Sequence, residues 1–173
     1  QPVPVDHEGR VDVSAFAAPL DNPGDGPPAA AVLQSANGEV GTRQPVAAVD
    51  ALCRTAGIPL LLDATASLGR DPAAHPTGAG SVIVADAATF GGPPLGLLAV
   101  RTGTRWGLPG PRREAEHRRA LAAPWVPLAL TAAQAWVSTE QEHADEERAA
   151  RALVDRVRDV AARPLDDVLR AET

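Results

Sequence analysis

The chain has 173 residues, enough for one domain with a sizeable core. Hydrophobic residues make up 45% and charged residues 22%, a globular composition, and the net charge of −6 argues against nucleic acid or an anionic membrane surface as a partner. All 16 basic residues are Arg; without a single lysine, the chain has no side-chain amine for Schiff-base chemistry.

Aromatics are only 3%, with no Tyr and no Met, so Ala, Val and Leu must build the core. No run approaches the ~18 apolar residues of a membrane span. The opening "QPVPVDHEGR" lacks the basic-then-apolar pattern of a secretion signal. A single cysteine, Cys53, excludes an intramolecular disulfide and fits a reducing cytoplasm.

In chain order, "VPVDHEGRVDVSAF" predicts an extended segment, a turn at Glu8-Gly9 and a short helix near Val13–Ala17. "PLDNPGDGPP" is a loop, because its Pro and Gly hold neither helix nor ladder. "AAAVLQ" (29–34) reads as a buried strand and "SANGEVGT" (35–42) as a loop. Residues 43–57 predict a helix: Pro45 suits its first turn, Val46, Val49, Leu52 and Cys53 share a face, and Gly57 stops it. "IPLLLDA" (58–64), "SVIVADA" (81–87) and "GLLAVR" (96–101) are three more apolar strands, the last two either parallel or a hairpin. Between the first two of these, "TASLGRDPAAHPTGAG" is a loop with one helical turn. Strands alternating with a helix, in continuous apolar runs, define an α/β domain with a largely parallel sheet.

Residues 102–125 form a polar, Pro- and Gly-broken loop with a short basic helix at "RREAEHRR". Residues 128–163 lack Gly and Pro and predict one helix about 54 Å long. Leu130, Ala133, Val137, Leu153, Val157 and Val160 are its expected buried stripe, and "STEQEHADEERAAR" its solvated middle. His7, His75, His117 and His143 lack metal-site spacing and read as surface histidines. Cys53, on an apolar helix face, reads as a small buried hydrophobe.

The segments "VPVDHEGRVDVSAF", "SANGEVGTRQPVAAVDALCRTAGIPLLLDATAS", "FGGPPLGLLAVR" and "WVPLALTAAQAW", in this order and spacing, resemble NifS/IscS-type cysteine desulfurases. These are class V aminotransferases with the fold-type-I pyridoxal phosphate (PLP) architecture. The resemblance covers nearly all of the chain but only the middle of such an enzyme. It implies a partial α/β large domain over 1–125, with a mostly parallel sheet, then a long helix and the start of a truncated C-terminal region over 126–173.

Carried over residue by residue, the resemblance places the aspartate that pairs with the PLP ring nitrogen on Asp63, either as a vestige of cofactor binding or as a plain structural cap. The asparagine at the ring hydroxyl falls on Gly38, the glutamine supporting that oxygen on Ala66, and the phosphate-binding serine on Asp86, whose charge would repel a phosphate. The histidine beside the lysine falls on Ala88 and the lysine itself on Thr89; the later arginine and threonine fall on Ala120 and Ala123. The turn residues Gly91, Gly92 and Pro93 are kept.

The resemblance therefore implies a desulfurase-like chain with no catalytic residues, no metal and no cofactor of its own. PLP would enter only where a partner chain supplies the lysine. A half-sheet leaves an open edge, so another protein chain is the expected partner: a second copy, a complete desulfurase, or a chain carrying the missing part. A ligand-binding module in the vacated cleft is a further reading.

Overall fold

The structure is a computed structural model that describes residues 2–21, 26–75, 78–107, 110, 114, 118, 123 and 125–162. Helix α1 spans Val13–Asp21 and runs on through Pro19, past the expected end. Asp12 starts it: its Oδ1 accepts from the Ser14 amide at 2.9 Å, the Ser14 hydroxyl at 2.6 Å and the Ala15 amide at 3.2 Å. The Ser14 hydroxyl, followed by the two amides, holds the Asp12 carboxyl below its ordinary value. Strand β1, Ala31–Gln34, follows. The segment read as a loop contains a small antiparallel pair, β2 (Ala36–Asn37) and β3 (Thr42–Arg43). Asn37 closes the turn between them by accepting from the Glu39 and Val40 amides at 2.9 and 3.3 Å.

Helix α2, Val46–Thr55, begins after Pro45, which sits at the cap and not within the first turn. Gly57, at φ +68°, ends it in a conformation that favours glycine. Strand β4 is Leu60–Asp63, β5 is Val82–Asp86 and β6 is Gly96–Val100. They form one four-stranded sheet in the order β1-β4-β5-β6. β1, β4 and β5 are parallel, whereas β5 and β6 pair antiparallel with Val84 opposite Leu98. The sheet is thus mostly parallel, and the hairpin alternative holds for its last two strands.

One face of the sheet carries the core. Leu33, Leu60, Leu62, Ile83 and Ala85 are buried there against Phe16 of α1 and Val46, Val49 and Cys53 of α2. Cys53 is 1% exposed, and burial, reinforced by the Asp50 charge, pushes its thiol up. On the opposite face, Val32, Leu61, Val84, Leu98 and Val100 lie outside that core cluster, although strands of this kind are apolar on both sides.

Helix α3, Val126–Ala161, is a single helix of 36 residues that takes Pro127 into its first turn and otherwise follows the expected Gly- and Pro-free run. Its orientation overturns the expected stripe. Leu130, Val137, Leu153, Val157 and Val160 are 49–67% exposed, and Ala133 is exposed too. The buried residues are Ala132 and Thr139, with Trp136 and His143 half-buried. The docked side runs from Ala132 into the middle, which is mostly exposed as expected but contributes Thr139, His143 and Glu147. The Thr139 hydroxyl donates to the Phe90 carbonyl at 3.1 Å, and His143 Nδ1 donates to the Gly69 carbonyl at 3.0 Å. Arg70 meets Glu146 at 3.2 Å and Arg43 approaches Glu147 to 3.9 Å. His75 and His143 are accordingly half-buried contact residues, not free surface ones, and His75 lies against Glu140 at 3.5 Å and the Trp136 ring. His7 is exposed as expected, and His117 falls outside the described residues. Most of the polar loop and basic helix expected over 102–125 also falls outside them.

Candidate functional site

The residues singled out by sequence converge on the carboxyl ends of β4 and β5, where open α/β sheets present their sites. β4 ends in Asp63, fixed from below by Ser35. The Ser35 amide and hydroxyl both donate to the Asp63 carbonyl, at 2.8 and 3.0 Å, and the fully buried Ser35 hydroxyl also meets that of Ser67. The Asp63 side chain turns back on its own loop: Oδ1 accepts from the Thr65 amide at 3.0 Å and the Thr65 hydroxyl at 2.7 Å. Asp63 therefore does what a strand-end cap does.

β5 ends in Asp86, whose Oδ1 accepts from the Ala88 amide at 2.9 Å and so caps the single 3-10 turn Ala87–Phe90. Gly91 leaves that turn at φ +79°, and the Gly92 amide donates back to the Ala87 carbonyl at 2.9 Å. A Cβ at residue 92 would lie 2.9 Å from the same oxygen, so the turn excludes any side chain there. Thr89, within the turn, donates from its hydroxyl to the Thr65 carbonyl at 2.7 Å. Its own carbonyl accepts from Arg70 Nε at 2.7 Å, and Arg70 reaches on to Glu146 of α3.

Asp63, Thr65, Thr89 and Arg70 thus form a continuous chain of hydrogen bonds across the strand ends, with Asp86 beside it. Gly38 and Ala66 are exposed near this end and offer no polar side chain. Ala123 is exposed outside any element, and Ala120 falls outside the described residues. Thr65, Arg70, Ser35 and Ser67 are the members that sequence reading did not assign to this region; hydroxyl residues and an arginine in turns give no local signal of it.

Chemically, the site offers two carboxylates, two threonine hydroxyls already engaged, and no amine. No cation forms an ion pair with Asp63 or Asp86 among the described residues. Among the described residues the one cation of the site, Arg70, is held by the Thr89 carbonyl and by Glu146 and does not reach either aspartate. No group of three or more His, Cys, Asp or Glu that could hold a metal occurs among the described residues, and no described helix is long and apolar enough to cross a membrane.

The fold belongs to the PLP-transferase architecture and represents part of it. Among solved structures, the chain is similar to an apo cysteine desulfurase from Thermococcus onnurineus NA1, with a TM-score of 0.75 and 17% identity over 92% of this chain and 44% of that one. A NifS-like protein matches with a TM-score of 0.73 and 22% identity over 96% and 47%. DndA from Streptomyces lividans matches with a TM-score of 0.68 and 24% identity over 91% and 45%. The chain spans just under half the length of each. No protein-family model matches it, and neither does any curated protein sequence.

Proposed function

We propose that this chain is a catalytically inactive, cysteine-desulfurase-like subunit that acts by binding a partner chain in a regulatory or structural role. One observation carries the reading. At the turn where the resemblance puts a lysine, the Thr89 hydroxyl is bonded to the Thr65 carbonyl, and no lysine exists anywhere in the chain to replace it. The surroundings agree with it: Asp86 stands where a phosphate ligand would be needed, and Asp63 has turned its carboxylate onto Thr65. The charge of Asp86 opposes a phosphate beside it. These residues do not fit PLP on their own.

A second reading keeps Asp63 as a contributor to a composite site whose lysine comes from another chain. The retained strand-end position of Asp63 favours it, since a pyridinium needs one carboxylate.

The test is native-level purification of the tagged chain, followed by cysteine-dependent sulfide release with added PLP. The inactive-subunit reading expects no sulfide from the isolated chain and a stoichiometric protein partner. Sulfide release from the isolated chain overturns it. An imine absorbance band that forms only in the complex, and is lost in Asp63→Asn, selects the composite site instead.

A further inference from the structure

The 3-10 turn Ala87–Phe90 carries the strand-end cluster, and the donors to its last two carbonyls come from outside the sheet. Like the end of any short helix, the turn leaves carbonyls without partners of its own. The Thr89 carbonyl accepts from Arg70 Nε at 2.7 Å, and Arg70 is itself paired with Glu146 of α3 at 3.2 Å. The Phe90 carbonyl accepts from the Thr139 hydroxyl of α3 at 3.1 Å, in a buried bond. The buried Phe90 ring meets the Trp136 ring of α3 edge-on, with centroids 5.2 Å apart. α3 therefore completes a turn that Thr139 follows by 49 residues in the chain.

We propose that α3 is a strap with two positions, seated and released, and that seating it holds the Thr89 turn closed. The seat is slight. Within α3 only Ala132 and Thr139 are buried among the described residues. The three polar pairs around them, Arg70–Glu146, His75–Glu140 and Arg43–Glu147, are partly open to solvent, and such pairs contribute little. A segment with few buried contacts opens before the rest of a domain does. The parallel strands need α3 less, because β4 and β5 pair with each other and rest on the core shared with α1 and α2. Release withdraws the donors from the Thr89 and Phe90 carbonyls together. The turn then loosens, and with it the tie from the Thr89 hydroxyl to Thr65 and onward to Asp63. Residues 148–161 of α3 are exposed throughout, so a force on them reaches the seat without touching the strand ends. The coupling is reciprocal: what favours release favours an open strand end, and what packs the strand ends favours the seat. The strap operates with or without a partner chain.

Amide hydrogen exchange of the full chain, read by NMR, tests the strap. The Gly91 and Gly92 amides bond to the Ala88 and Ala87 carbonyls within the turn and report its opening, whereas amides in the middle of β4 and β5 report unfolding of the domain. The two turn amides are expected to exchange faster than the strand amides. Thr139→Val removes the donor but keeps the shape. It should speed the turn amides about fivefold, as one lost hydrogen bond does, and Thr139→Ser should restore them. Glu146→Gln, in an exposed pair, should speed them about twofold. Cys53→Ala loosens the core under α2 and leaves the seat intact, so it should speed the strand amides alone. Turn amides as slow as the strand amides, or unchanged in both the Thr139→Val and Glu146→Gln variants, overturn the proposal. So does a Cys53→Ala variant that speeds turn and strand amides by the same factor, since the turn would then open only with the whole domain.

Discussion

The Thr89 hydroxyl donates to the Thr65 carbonyl at 2.7 Å, tying the turn after β5 to the turn after β4. Thr65 in turn holds Asp63, and Arg70 holds the Thr89 carbonyl, so the four residues set the relative position of two strand ends. The Thr89 side chain is a structural tie. Thr89→Val removes that bond while keeping the shape, and should cost about 1 kcal/mol of stability by chemical denaturation. Under the inactive-subunit proposal, Thr89→Lys introduces an amine at a turn that carries no other PLP-binding group. It should give no imine absorbance band with PLP at stoichiometric concentration; a stable band would show that the lysine alone had been missing.

Gly69 lies where α3 meets the body of the domain. It has φ +78°, and a Cβ there would lie 2.6 Å from Phe90 Cβ and 3.1 Å from Thr139 Cγ2. Gly69→Ala therefore combines an unfavourable backbone conformation with overpacking, for a loss of about 2–3 kcal/mol. Gly91→Ala has the same backbone penalty but open space, so it should cost less in the same denaturation assay. Equal losses would mean that packing under α3 is looser than the geometry implies.

Cys53 should be inert in the folded protein. It is 1% exposed and its thiol is raised by burial, so labelling by a thiol reagent should be slow and should accelerate with denaturant in step with unfolding. The folded-state value lies above the unfolded one. Stability from this group is thus complete below the unfolded thiol's range, near pH ~8.5, and falls as pH rises beyond it. Cys53→Ala should flatten that alkaline decline in the denaturation midpoint, at the cost of a small cavity. A midpoint whose pH dependence is identical in the two proteins would remove the thiol from the account.

The docked part of α3 should respond to acid. Glu147 is held below its ordinary value first by the hydrogen bond from Arg151, with the charges of Arg151, Arg43 and His143 adding to it. A lowered carboxyl stabilises the fold above its unfolded value, near pH ~4.3, and that contribution is lost as pH falls through the folded value. With Trp106 and Trp125 replaced by Phe, the emission of Trp136 should shift to the red over this acid range. Glu146→Gln with Glu147→Gln should produce part of the shift already at neutral pH, by a modest amount because both pairs are solvent-accessible.

Much of the architecture was legible in sequence because it is local. Continuous apolar runs marked all four strands of the sheet, and the absence of Gly and Pro marked α3 to within about two residues at each end. The small β2–β3 pair was missed because two-residue strands leave no periodicity to read. The absence of lysine from the chain and the acidic residues at the strand ends were equally plain, since they are matters of identity. What the sequence could not decide was which side of each element meets another. On α3 the apolar residues suggested one stripe, yet the helix docks through Ala132, Trp136, Thr139 and His143, because Trp136 packs edge-on against the Phe90 ring and Thr139 and His143 bond to the Phe90 and Gly69 carbonyls. On the sheet, β4 and β5 read as apolar on both faces, and only the tertiary arrangement leaves one face against α1 and α2 and the other outside the core. Local identity fixed the elements and their chemistry; burial, which depends on residues far apart in the chain, selected the faces they use.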